Sequence, residues 1–282
     1  MPMTQQCIHK HYEGTWKNKS DRAATHSDMT YSSPVEDAIV YPLYRQMIAD
    51  LKIKADGNVL DVGAGSGRWI RFFLEYFQPR KLVGADYTLA SVELLRKWFP
   101  PDSALPSELE FHHADITDPQ LNLGQKFDLI NIANVLFHIP EQNLFVQAMT
   151  NLARHVSAGG MIVTTEYLPR TSMRTEWMLV RDRYTFEKVA RDVGLRIVAV
   201  KAFSVFSNDP MGLDGPDAGT RGDFAKVRAM INALSASAKD QQSQQFITGF
   251  LAEIEQAVLS FCRERIAEID MPSQKLVFLT PA

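Results

Sequence analysis

The chain has 282 residues, 45% of them apolar and 22% charged. That balance builds a globular core and excludes a disordered chain, which could not bury enough apolar surface to offset its ordering entropy. Thirty Lys and Arg against 33 Asp and Glu leave a net charge of −3, so there is no broad cationic surface and nucleic acid is not an expected partner.

Residues 1–34 are polar, with aromatic islands at Tyr12, Trp16 and Tyr31. They read as a partly helical arm or lid lying on the rest of the protein. They lack the apolar core, about 7–15 residues long, of a signal peptide. No run approaches the roughly 20 apolar residues of a membrane span, so no membrane partner is expected. Two cysteines, Cys7 and Cys262, stand in no ligand spacing, which argues for a reducing, cytoplasmic setting and against a thiolate zinc site. From Pro34 to about Leu51, residues Ala38, Tyr41, Tyr44, Met47 and Ile48 recur at helical spacing and predict a first helix.

A β/α alternation follows. Apolar runs at 59–62, 82–86, 109–115, 127–133, 161–165 and 195–200 predict six strands. Between them Ile70, Phe73, Leu74 and Phe77, then Val92, Leu95 and Trp98, then Phe145, Met149, Leu152 and Val156 mark helical faces. A further helix begins near Tyr184. Strands separated by helices predict parallel βαβ units with helices on both sheet faces. Gly212, Gly215, Gly219 and Gly222, with Pro210 and Pro216, predict an irregular loop over 207–222. Two helices and a final strand, Lys275 to Thr280, close the chain. The expected organisation is an arm (1–34), a core (35–206 with 274–282) and a helical insertion (207–273), either a substrate lid or a homodimer contact.

The informative stretch is Val59-Leu60-Asp61-Val62-Gly63-Ala64-Gly65-Ser66-Gly67-Arg68. A strand running into Gly-x-Gly-x-Gly and then a helix lets backbone approach a ligand where a Cβ would clash, beyond the carboxyl ends of the strands. The dinucleotide fingerprint would need glycine where Arg68 stands, and the lysine of a Walker A loop is missing. Asp86 ends strand two, where a carboxylate can accept both hydroxyls of a ribose. Asp115 ends strand three, within reach of an adenine amino group. With Asp61, these carboxylates suit a ligand with a ribose, a purine amine and positive charge; they suit a pyrophosphate poorly.

The sequence resembles the class I S-adenosylmethionine-dependent methyltransferases over about residues 55–204 and the last strand. The resemblance rests on VLDVGAGSGRW (59–69), LVGADYT (82–88), HHADITD (112–118), FDLINIANVLFHIP (127–140) and SAGGMIVTTEYLP (157–169). It implies an α/β, Rossmann-like, seven-stranded and mostly parallel sheet, with helices on both faces and the last strand antiparallel. It also implies S-adenosylmethionine as cofactor, S-adenosylhomocysteine as product, and no metal. By the same resemblance Gly63, Gly65 and Gly67 shape the turn under the methionine part, and Asp61 anchors it. Asp86 binds the ribose, Tyr87 lies beside the adenine, Asp115 and Ile116 hold its edge, and Asn134 lies by the methionine backbone or the sulfonium. Arg68 is either a contact to the methionine carboxylate or a cation on the helix surface.

Methyl transfer from a sulfonium is an in-line displacement, for which positioning alone can supply about 7–11 kcal/mol. A hydroxyl acceptor gains further from a base with a pKa of about 6–7, which points to histidine. Of seven histidines, His138 stands best, four residues beyond Asn134; it is either that base or a packing residue at the start of the next helix. His112 and His113 point to opposite faces of one strand, His155 closes a helix, and His9, His11 and His26 act only if the arm closes. Glu166, just past strand five, is a second catalytic candidate or an exposed loop carboxylate. Tyr12, Trp16, Tyr31, Arg181 and Tyr184 are candidates for acceptor contact. The expected activity is methylation of a hydroxyl on a small-molecule acceptor. N-methylation of an amine or protein N-terminus, a nicotinamide oxidoreductase and a non-catalytic nucleotide-binding scaffold are the alternatives. Asn134-Val135-Leu136-Phe137 replaces the Asn-Pro-Pro-Tyr type of segment, which within the family weighs against amino groups of bases.

Overall fold

The structure, a computed structural model, describes residues 4–22, 34–100, 108–175, 177–205 and 218–282. Tyr31, His26 and positions 207–217 of the expected loop lie outside the described residues. The chain runs α1 (Gln5–Arg22), α2 (Pro34–Asp50), β1 (Asn58–Val62), α3 (Arg68–Tyr76), β2 (Lys81–Asp86), α4 (Leu89–Trp98), β3 (Glu108–His113) and β4 (Phe127–Ile132). A 3₁₀ turn (Leu136–His138) leads into α5 (Gln142–His155), β5 (Val156–Glu166), β6 (Met173–Arg174), β7 (Leu179–Val180), α6 (Arg183–Asp192) and β8 (Leu195–Ser204). Then come α7 (Ala218–Ser237), α8 (Gln241–Arg263) and β9 (Gln274–Pro281).

Seven strands form one sheet in the order β3-β2-β1-β4-β5-β9-β8. Neighbours from β3 to β5 pair in parallel, and β9 runs antiparallel to β5 and β8. This is the expected Rossmann-like fold. Alternation along each strand feeds two cores: Leu60, Ile130 and Ile162 enter one, while Val59, Leu129 and Val163 enter the other, as the period of two requires. The chain leaves β1 toward β2 and β3, then returns to β4 on β1's other side. That reversal opens a crevice at the strands' carboxyl ends, where open α/β sheets bind ligands.

Three elements differ from the sequence reading. β5 begins at Val156, so Ser157-Ala158-Gly159-Gly160 continues a strand instead of ending a helix, and a register shift between Phe127 and Leu129 takes up the irregularity. The short β6–β7 hairpin had no periodic signal. α7 starts at Ala218, inside the stretch read as loop; glycines such as Gly219 and Gly222 cost a helix about 1 kcal/mol each without forbidding it. Among the described residues no helix is long and apolar enough to cross a membrane.

The described part of the arm, α1, is seated on the core. Trp16 packs with Ala90 and Leu94 of α4, and a Glu13 carboxylate oxygen accepts the Ala90 amide at 3.2 Å. A carboxylate at that helix N-terminus also meets the positive end of its dipole.

Candidate active site

β1 delivers the chain into a turn whose Gly63 and Gly65 have φ of 69° and 55°, the left-handed region that side chains with a Cβ rarely adopt. A Cβ on Gly63 would stand 2.3 Å from Val135 Cγ2, and one on Gly65 2.8 Å from the Trp16 ring. The turn is pinned by the Gly63 amide donating to the Ala85 carbonyl at 2.7 Å. The Gly65 amide donates to Asp86 Oδ2 at 2.9 Å.

Three acids line the adjacent strand ends. Asp86 is buried, and its Oδ1 accepts from the Thr88 amide at 2.9 Å and hydroxyl at 2.7 Å. Burial raises its pKa against those hydrogen bonds. Asp61 Oδ1 accepts from Asn131 Nδ2 at 2.7 Å, and the Tyr44 hydroxyl donates to Asn131 Oδ1 at 3.1 Å. The other oxygen of Asp61 is buried without a hydrogen-bond partner, and burial pushes this carboxyl up to about 7. Asp115 Oδ1 accepts from the Thr117 amide and hydroxyl, both at 2.8 Å, while its Oδ2 lies 3.8 Å from His9 Nε2. The His9 ring stacks on Tyr87 with centroids 4.1 Å apart. Ile116 is buried beside them. Arg68 bonds Asp37 Oδ1 at 2.8 Å and Glu36 Oε1 at 3.0 Å on α2, a largely buried ion pair where one of the two readings puts a cation on the helix surface.

The other side of the crevice is built from β4, β5 and β9. Asn134 sits at φ 59°. Its amide donates to Thr165 Oγ1 at 2.7 Å, and its Oδ1 accepts from Gln274 Nε2 at 2.7 Å. His138 ends the 3₁₀ turn with Nδ1 3.3 Å from the Trp177 carbonyl. Its Nε2 lies 3.0 Å from the Tyr12 hydroxyl. The same hydroxyl lies 3.2 Å from Nδ1, and the tautomer sets which ring nitrogen donates and which accepts. Burial, aided by nearby His11, moves this imidazole down to about 4. The expected range of about 6–7 for a catalytic histidine therefore does not hold for His138, because its charged form is desolvated.

Glu166 is not on an exposed loop: it ends β5, 3% exposed, and accepts the Thr164 hydroxyl at 3.2 Å. Burial pushes it up to about 8, opposed by the Arg181 charge. Arg181 is buried and committed to the Ile139 carbonyl at 2.7 Å and Gln142 Oε1 at 3.2 Å, with its guanidinium 3.7 Å from the Phe145 ring centre. Tyr184 is 72% exposed at the start of α6 and joins none of these contacts. Tyr12 and Trp16 reach the crevice on α1. The sequence reading missed Gln274 and Lys275, both buried on β9; Lys275 donates to the carbonyls of Tyr167 and Ser273. It also missed Trp177, whose ring lies 4.0 Å from that of His11. The one available signal was a polar pair opening an otherwise apolar last strand. Among the described residues no cluster of three or more His, Cys, Asp or Glu side chains is placed to hold a metal ion.

A glycine turn and three acids stand together at the reversal point of an open, Rossmann-like sheet, the place where such sheets bind ligands. Residues 59–160 match the family described as a methyltransferase domain. Over that stretch, about a third of its length, the chain is similar to methyltransferase domains. It is 25% identical over 118 residues to a protein of Aspergillus luteorubrus named "Probable methyltransferase ltbC", covering 40% of this chain and 41% of that one. The chain thus spans about two fifths of that relative's length. Its fold is similar to magnesium protoporphyrin IX methyltransferase of Synechocystis, solved with bound S-adenosylhomocysteine, at TM-score 0.54 and 16% identity over 71% of this chain and 94% of that one. It is similar also to an S-adenosylmethionine-dependent methyltransferase of Leishmania major, at TM-score 0.55 and 18% identity over 70% and 76% of the two chains.

Proposed function

We propose that the protein transfers the methyl group of S-adenosylmethionine to a hydroxyl of a small-molecule acceptor, without a metal and in the cytoplasm. The residues of the glycine turn fit that cofactor. Asp86 would hold the ribose, Tyr87 and Ile116 would flank the adenine, and Asp115 Oδ2, which lies 3.8 Å from a His9 nitrogen, would take its amino group. The unpartnered Asp61 oxygen offers a further acceptor beneath the turn, and Asn134 would lie by the methionine part. When bound, the cofactor supplies an electrophilic methyl group on a sulfonium.

The chain's own residues do the rest. α1 lies across the turn through Trp16 and Tyr12 and excludes water, which strengthens electrostatic contacts inside. His138 Nε2 takes the acceptor's proton. The observation that carries the choice of oxygen is that this buried imidazole, uncharged at neutral pH, already has a hydroxyl within hydrogen-bond reach, 3.0 Å from Nε2 and 3.2 Å from Nδ1. Glu166, protonated below about pH 8, supplies a neutral hydrogen-bonding carboxyl beside the acceptor and is not the base.

Calorimetry with S-adenosylhomocysteine and with NAD tests the cofactor, and turnover across phenols, sugars, amines and peptides tests the acceptor. Binding of the first ligand alone and turnover of hydroxyl compounds are expected. Turnover confined to amines would move the reading to N-methylation. NAD binding would sink it.

A further inference from the structure

We infer that the Tyr12 side chain occupies the place of the acceptor, and that the acceptor is a phenol which takes over its hydrogen bond to His138. The inference rests on the methyl-transfer reading and names the substrate class for it. The Tyr12 hydroxyl meets His138 Nε2 at 3.0 Å, with the two rings edge to face, centroids 5.1 Å apart. The surroundings suit an aromatic guest. The Phe137 ring lies 4.7 Å from His138 and 5.7 Å from Tyr167, and the Trp177 ring lies tilted against that of His11, 4.0 Å away.

Tyr12 packs beside the Trp16–Ala90–Leu94 cluster but is not the arm's sole attachment. α1 is anchored on both sides of it, by the Gln5 amide on Glu141 Oε1 at 3.1 Å and by Glu13 and Trp16 on α4. Its hydrogen bond can therefore be exchanged without unseating the helix.

Acidity selects the same class. A desolvated imidazole is a weak base, faced here by Tyr12 and His11 of α1 and by the Trp177 carbonyl of the β6–β7 hairpin. It can share the proton of a phenol, pKa about 10, far better than that of an aliphatic alcohol, which resembles water at about 16. In the step, the phenolic proton passes to Nε2, and the oxygen forms its bond to the methyl carbon. The carbon–sulfur bond breaks with its electron pair left on sulfur. The imidazolium then returns its proton to water.

The test uses the full chain loaded with S-adenosylhomocysteine, with 4-methylphenol and 1-naphthol as probes and benzyl alcohol and benzylamine as controls. Tyr12→Phe keeps the ring and removes the competing hydroxyl, so the phenols should bind about two- to tenfold tighter than to the wild type, the span of one net hydrogen bond. His138→Ala should abolish that gain. Wild-type protein given S-adenosylmethionine should methylate the phenols faster than either control. Unchanged or weaker phenol binding by Tyr12→Phe, or preference for a control, overturns the phenol assignment while intact product binding leaves methyl transfer standing. Failure of S-adenosylhomocysteine to bind overturns both.

Discussion

The two sides of the crevice hold their polar groups in different ways. On β2 and β3 the acids are satisfied by near neighbours, Asp86 by Thr88 and the turn it faces and Asp115 by Thr117 two residues on, while Asp61 on β1 is held by Asn131 of the adjoining β4. Along β4 and β5 the partners come from far away in sequence. His138 meets Tyr12 across 126 residues, Asn134 meets Gln274 across 140, and Arg181 reaches back 42 to Ile139. A locally satisfied site exists as soon as strand and turn form. A non-local one exists only when the arm, the hairpin and the last strand have docked, because loop closure must come first. The cofactor side is therefore held mostly by local contacts, and the acceptor side by contacts between elements distant in sequence.

The largest effect expected from that division is at His138. His138→Ala should lower kcat about 10²-fold, the low end for a general base whose pKa lies well below the working pH. S-adenosylhomocysteine affinity should stay within twofold or so, since no cofactor residue is touched. Steady-state kinetics and calorimetry on the same preparation read both numbers. Wild-type kcat should be flat across neutral pH, because His138 is uncharged above about 4. A variant with wild-type kcat would make His138 a packing residue.

Next comes the cofactor side. Asp86→Ala should weaken S-adenosylhomocysteine binding by about 1–3 kcal/mol, the cost of unpairing buried polar groups, since it strips a partner from the Gly65 amide as well as from the ribose. Unaltered affinity would remove Asp86 from the site. Exhaustive chelation should leave turnover unchanged, and a loss restored by added metal would contradict the metal-free reading. A smaller effect is expected from removing residues 1–22. Catalytic efficiency should fall about tenfold, equivalent to about 1.4 kcal/mol of lost closure, with circular dichroism of the sheet and product affinity nearly preserved. Product affinity that collapses with the arm would break the comparison, because the cofactor half would then depend on α1 too.

The same division explains what the sequence could disclose. Strand periodicity, glycine spacing and strand-end acids are local patterns, so the sheet, the turn and Asp61, Asp86 and Asp115 could be read directly. Glu166 was misjudged as a loop residue because five residues of apparent strand (161–165) ended just before it, and nothing local reveals that Thr164 and Arg181 enclose it. His138 was located, but its displaced pKa follows from burial under an arm 126 residues away. Trp177 left no pattern at all, and Gln274 and Lys275 only a polar opening to an apolar strand, since what makes them part of the site is docking. Arg68 sits in the legible turn, yet only the position of α2 decides its partner.

The smallest predicted effect isolates one group of the acceptor side through pH. In the folded chain Glu166 titrates at about 8 against an ordinary 4.5, so between those values the native state holds a proton that the unfolded chain has lost. Its contribution to stability is complete below about 4.5 and is lost as pH rises through 8. Asp61 acts with the same sign only up to about 7. His138, lowered from 6.5 to about 4, acts with the opposite sign and only below its unfolded value. Between pH 7 and 8 Glu166 is thus the main contributor of the three, and the wild type should lose about 1 kcal/mol over that unit. Glu166→Gln replaces a protonated carboxyl by a neutral amide that can still accept the Thr164 hydroxyl, so stability at pH 7 should change little and the loss between pH 7 and 8 should shrink by that amount. Urea unfolding at the two pH values measures it. An identical slope in the variant would mean that Glu166 is ionised in the folded protein, paired with Arg181, and would return it to contention as the base.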